Sequence, residues 1–174
     1  MDTTNKLIAA AERLFDRHGF VATGMDRLTE AAGMSSRTLY KHAGSKTQLM
    51  ACILGERDRR FMARLDVGTV EALFKVLDDW IRIEGTRGCL FLRSNAETGG
   101  DTPEIAEAVR MHKTAFQNQV ARIVATDLGH EDPEIAEQIL VLFEGATHAA
   151  IYRGEGAVRA AQSAAATLIE RARS

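Results

Sequence analysis

Only two prolines occur in 174 residues, and each stands where a helix would begin. Thr102-Pro103-Glu104 and Asp132-Pro133-Glu134 both put a side-chain oxygen at the cap position, proline at the first helical position and an acid in the first turn. Proline is tolerated there because that position needs no intrahelical N–H bond, and the helix dipole favours the acid. A chain that confines proline to helix starts is free to build long helices elsewhere. Helices of roughly 25 and 20 residues are predicted behind these starts, ending near Gly129 and Gly154.

The rest of the chain reads the same way. Leu7, Ile8, Ala11, Leu14 and Phe15 recur at helical spacing, and Gly19 stops that helix. Thr23 with Asp26 resembles a short capping box opening a second helix through Ala32, which Gly33 ends. Ser36 to His42 form a short third helix. Ser45 caps a long fourth one carrying Leu49, Ile53, Phe61 and Leu65 toward Asp66. Thr69 to Ile83 is helical, Glu84 to Gly88 a loop, and Cys89-Leu90-Phe91-Leu92 a buried helix, because no strand partner lies nearby. A last, Ala-rich helix runs from Ala157 to Arg173. The expectation is an all-α chain of about nine helices without internal repeats.

Composition excludes several classes. A 45% hydrophobic fraction argues against disorder, and no apolar run is long enough to cross a membrane. The polar start Met-Asp-Thr-Thr-Asn does not read as a signal peptide, so a cytoplasmic chain is expected. Cys52 and Cys89 suggest two reduced, buried thiols rather than a disulfide framework or zinc ribbon. No Gly-rich phosphate loop, Gly-x-Ser-x-Gly elbow or His-Glu-x-x-His is present. The acid pairs Asp78-Asp79 and Glu131-Asp132 fall on a helix surface and at a cap, so neither an enzyme nor a cofactor or metal site is expected.

The most informative stretch is Met25 to Lys46, whose spacing fits a helix-turn-helix. Leu28 and Ala32 face inward, Gly33 supplies a left-handed turn, Met34 packs beneath it, and Leu39 anchors a second helix. That second helix presents Ser36, Arg37, Thr38, Lys41 and His42 outward, as donors and acceptors for phosphates or base edges. Formal charge agrees: residues 1–60 carry +3 and the remainder −5, although the whole chain is only −2.

Ala31-Ala32-Gly33-Met34-Ser35-Ser36-Arg37-Thr38-Leu39-Tyr40-Lys41-His42, followed by Ser45-Lys46 and Leu49, resembles the DNA-binding signature of TetR-type transcriptional regulators. Ala9 to Phe15 with Gly19-Phe20 are similar to that family's first helix and turn. The resemblance implies a helix-turn-helix domain over residues 1–48, a helical ligand-binding and dimerisation domain over 49–174, and a homodimer on a palindromic operator. Carried over by position, Ser36, Arg37, Thr38 and Lys41 would face the major groove, while Thr23, Tyr40, His42 and Lys46 would bind backbone phosphate. Three departures stand out. Ala43 replaces a usual aromatic, Thr29 replaces a usual small Ala, which costs little if its hydroxyl bonds back to the preceding turn, and the N-terminus lacks a basic arm.

For an unknown small-molecule effector, Trp80, Phe91, Met111, Phe116, Phe143 and Tyr152 are candidate pocket walls, with Asn95, His112 and His148 as polar handles and Cys89 nearby. Small and apolar side chains in the last two helices, Ile139, Leu142, Ala149, Ala150, Ala161, Ala164, Ala165 and Leu168, are candidates for a four-helix dimer interface. The expected function is a repressor released by an inducer. A helical binding module without sequence-specific DNA binding is the rival, and it would predict a scrambled third helix.

Overall fold

A computed structural model describes residues 3–174, which leaves the first two residues of the expected unarmed N-terminus outside the described part. The elements are α1 (Thr3–His18), α2 (Met25–Ala32), α3 (Ser36–Ala43), α4 (Lys46–Met62), α5 (Val70–Glu84), α6 (Leu90–Glu97), α7 (Pro103–Leu128), α8 (Pro133–Arg153) and α9 (Glu155–Ala172). No strand occurs among the described residues, and no helix is long and apolar enough to cross a membrane.

Both prolines open helices. Asp132 accepts from the Ile135 N–H at 3.0 Å, and α7 starts at Pro103 with the Ile105 and Ala106 N–H groups bonded to the Thr102 carbonyl. Cys89-Leu92 is helical from Leu90 onward, as the lack of a strand partner predicts. The second helix departs in detail from its expected start. Its cap is Gly24, with no side-chain bond, because the Thr23 hydroxyl turns back to donate to the Gly19 carbonyl at 2.7 Å.

The chain forms two compact units. One joins residues up to Arg59 with Leu90–Met111; the other joins Arg60–Cys89 with His112–Ser174. In the first, α1, α2 and α3 pack together around Leu7, Ala11, Phe15, Leu28 and Leu39, all 1% exposed or less. The head expected over 1–48 therefore folds together with α6 and the start of α7, which are distant in sequence.

In the second unit α5, α8 and α9 pack on one another, and Phe61, Phe74, Phe116 and Phe143 meet in one apolar cluster. Asp127 closes its edge: one carboxylate oxygen accepts from the Val70 N–H at 2.8 Å and the other from Arg173 at 2.5 Å. The thiols are not both buried. Cys52 is exposed and Cys89 half-buried, because Cys52 falls on the outer face of α4 while Leu49, Ile53 and Leu54 take the inner one.

Candidate nucleic-acid interface

The recognition surface begins with a backbone turn. Gly33 has φ +63°, and the N–H groups of Gly33 and Met34 return to the carbonyls of Glu30 and Thr29, both at 3.1 Å. This closes α2 with a left-handed residue that a side chain would disfavour. Ser35 then caps α3, its hydroxyl accepting from the Thr38 N–H at 3.2 Å and pairing with the Thr38 hydroxyl at 2.9 Å. Thr29 bonds its hydroxyl to the Asp26 carbonyl at 2.6 Å, which satisfies it within α2.

Leu39 and Ala43 point into the core, at 0% and 7% exposure, which fixes the rotation of α3. Ser36, Arg37, Tyr40, Lys41 and His42 are consequently exposed, with Tyr40 at 51%. The ring of His42 is held by the Thr4 hydroxyl, 3.0 Å from Nδ1. Thr38 is half-buried and spends its hydroxyl on Ser35, so it shapes the start of α3 as well as edging the exposed face.

Two expected phosphate contacts differ in this structure. Thr23 is fully buried and bonded to Gly19, so its side chain cannot reach a phosphate. Lys46 is half-buried and turned onto the α1–α2 turn: Nζ donates to the Val21 carbonyl at 3.3 Å and sits 4.6 Å from the Phe20 ring centre. Loss of water pushes the Lys46 ammonium down from its ordinary value, and the nearby Glu97 carboxylate works against that.

At the start of α4, Ser45 and Gln48 form a reciprocal capping box. The Ser45 hydroxyl accepts from the Gln48 N–H at 3.1 Å while the Gln48 side-chain oxygen Oε1 accepts from the Ser45 N–H at 3.0 Å. A basic group that sequence spacing did not single out lies on α2 itself. Arg27 bonds His18 Nε2 at 3.0 Å, and desolvation followed by the charges of Arg27 and Arg17 holds His18 below the ordinary histidine value.

The expected effector residues separate. Trp80, His112, Phe116 and Phe143 do meet, but as packed core. Phe61 stands 5.2 Å from Trp80 and 5.4 Å from Phe116, and Phe116 stands 4.9 Å from Phe143, measured between ring centres. Tyr152 and Met111 are 79% and 60% exposed, so neither walls an enclosed space. His148 is also exposed, beside the loop at Gly88, and Cys89 is half-buried in that loop. Phe91, Asn95 and Met111 belong to the first unit and the others to the second. The second unit holds a cleft of about 560 Å³ lined by Thr69, Val70, Asp127, Arg159, Gln162 and Ile169, among others, and none of the expected residues borders it.

The expected dimer residues also divide. Ile139, Ala150, Ala161 and Ala165 are 8% exposed or less and fill the core between the helices, which removes them from any outer face. Ala164 is exposed, and Leu142, Ala149 and Leu168 are half-buried. The outward stripe of α8 is Val141, Gly145, His148 and Tyr152, with Ala160, Ala164 and Thr167 outward on α9. Apolar residues on both sides of α8 explain the confusion, because periodicity does not say which stripe faces in.

A capped α2, a left-handed turn and an exposed polar α3 define a helix-turn-helix protein. Residues 7–53 match the model of the bacterial regulatory proteins of the tetR family. Over 135 residues it is 29% identical to the HTH-type transcriptional activator FasR of Mycolicibacterium smegmatis, covering 72% of this chain and 59% of FasR. The chain thus spans under two thirds of that curated relative's length. A TetR-family transcriptional regulator from Streptomyces coelicolor has the same fold, with TM-score 0.85, 22% identity and coverage of 99% of this chain and 96% of that one. A putative regulator from Streptomyces avermitilis matches at TM-score 0.81 and 24% identity, covering 99% and 98%.

Proposed function

We propose that the protein is a ligand-responsive transcriptional regulator that binds a palindromic operator as a homodimer, most simply as a repressor released by a small-molecule inducer. One observation carries this reading: the exposed face of α3 presents Ser36, Arg37, Tyr40, Lys41 and His42 together, while Leu39 and Ala43 lock the helix from behind. Arg37 suits a bidentate contact to guanine, Lys41 faces the major groove beside it, and Tyr40 and His42 suit backbone phosphates. Such a protein acts where the DNA is, in the cytoplasm.

Two heads must be spaced by about one helical turn, ~34–36 Å, to read both half-sites. The outward stripes of α8 and α9, small apart from Val141, His148 and Tyr152, are the face offered for pairing. An effector that prefers another head spacing lowers operator affinity by linkage, and the operator lowers effector affinity equally. FasR is named an activator, so the sign of regulation is decided by a promoter-reporter assay. Selection of bound DNA from a random pool is the primary test. A recovered palindrome supports the reading, and no enriched sequence overturns it in favour of a binding module without sequence-specific DNA recognition.

A further inference from the structure

Val21, in the turn between α1 and α2, is 60% exposed, yet both of its backbone polar groups are taken by charged side chains from far along the chain. Its N–H donates to Glu97 Oε2 at 2.9 Å, and its carbonyl accepts from Lys46 Nζ at 3.3 Å. Glu97 is the last residue of α6 and Lys46 the first of α4. Space for the carboxylate comes from Gly19, at φ +89°, where an added Cβ would stand 2.9 Å from Glu97 Oε2. One turn earlier on α6, Arg93 fixes the approach. It donates to the Asp16 carboxylate at 3.0 Å and to the Asp16 carbonyl, near the end of α1, at 2.6 Å.

We propose that Glu97 is a positioning residue that holds the Lys46 ammonium on the α1–α2 turn and away from DNA phosphate, which sets operator affinity below what the head could reach. An ammonium on a flexible four-carbon stem is a point charge that goes where the potential is most negative. In the free protein the Glu97 carboxylate and the Val21 carbonyl supply that potential; on an operator, a phosphate competes for the same cation. Lys46 sits beside the α4 cap, within four residues of the exposed His42, so releasing it adds one phosphate contact to the interface. This inference rests on the reading of α3 as the DNA-binding face.

The test uses the full chain and an operator recovered by selection. Glu97→Gln keeps an oxygen that can accept from the Val21 N–H but removes the charge. Operator affinity is expected to rise roughly three- to fivefold at low salt, the scale of an exposed charge pair. The slope of log affinity against log salt is expected to steepen by about 1.8 for the dimer, one phosphate's worth of released counterions, ~0.9, from each head. Both changes should vanish in a Lys46→Ala background, which a merely structural role for Glu97 would not produce. Thermal unfolding of each variant shows that it is folded; should Glu97→Gln fail to fold, Glu97→Asp, which keeps the charge but shortens its reach, replaces it with the same expectations at smaller size. Unchanged or weaker binding by the variant, or an equal gain without Lys46, overturns the inference. Failure to recover any operator with the wild-type chain overturns the regulator reading instead.

Discussion

Both compact units have an apolar core and long-range polar contacts, and they differ in what stands most deeply buried beside that core. In the first, side chains far apart in sequence meet as charged or hydrogen-bonded pairs: Arg57 with Glu12 at 2.9 Å, Arg93 with Asp16, and Glu97 with the Val21 N–H. Arg57 and Asp16 are buried, so the two ion pairs they make substitute for lost water. In the second unit the centre is aromatic, with Phe61, Phe74, Phe116 and Phe143 in contact. Apolar packing depends on volume and tolerates small shifts, whereas an ion pair depends on geometry and fails abruptly when one partner leaves. The difference teaches that the first unit, with Arg57 and Asp16 buried as charges, is the more exposed of the two to the loss of a single ion-pair partner.

That contrast can be broken from either side. Phe116→Ala should cost most, about 3–5 kcal/mol in denaturant unfolding, because a 2% exposed ring leaves a cavity. It should leave the preferred operator sequence unchanged. Arg93→Ala should cost about 1–3 kcal/mol by stranding the Asp16 carboxylate, and Asp16→Asn in the same chain should recover part of it. Recovery of nothing would mean that Arg93 acts by packing, as the second unit does. Arg37→Ala should weaken operator binding by about 1–3 kcal/mol and relax preference at one base pair per half-site, while His42→Ala should weaken all sequences alike. Equal effects of the two on selected-pool sequence preference would remove the division of labour along α3. Ser45→Ala should cost about 1 kcal/mol through loss of the cap. Smallest of all, an NMR titration should place His18 below the ordinary histidine midpoint of about 6.5, and Arg27→Ala should move it upward.

The parts of the molecule that were legible in sequence are those decided locally. Gly33, Leu39, Ser45 and the two proline-led helix starts each act within a few residues, and local spacing located them. Thr23 shows the limit: as a side chain ahead of a helix it reads as a cap, yet its hydroxyl chose the carbonyl of Gly19 over the helix N-terminus. Both options lie within four residues, and only burial of the threonine decides between them. The partnership of α6 with the head was invisible because Arg93 and Asp16 are 77 residues apart and neither belongs to a motif. The same ambiguity governs α8, where Ile139 and Val141 look equivalent in sequence but are 0% and 61% exposed.

The discontinuous make-up of the first unit has a consequence for how such a chain can be recombined. A head cut at the end of α4 and spliced to a foreign sensor would carry the Asp16 carboxylate without Arg93 and the Val21 N–H without Glu97. The transplanted cassette would inherit α3 but lose the clasp that shapes the turn between α1 and α2. Residues 90–97 are therefore part of the minimal portable head, and chimaeras that include them should keep operator preference where shorter grafts lose it.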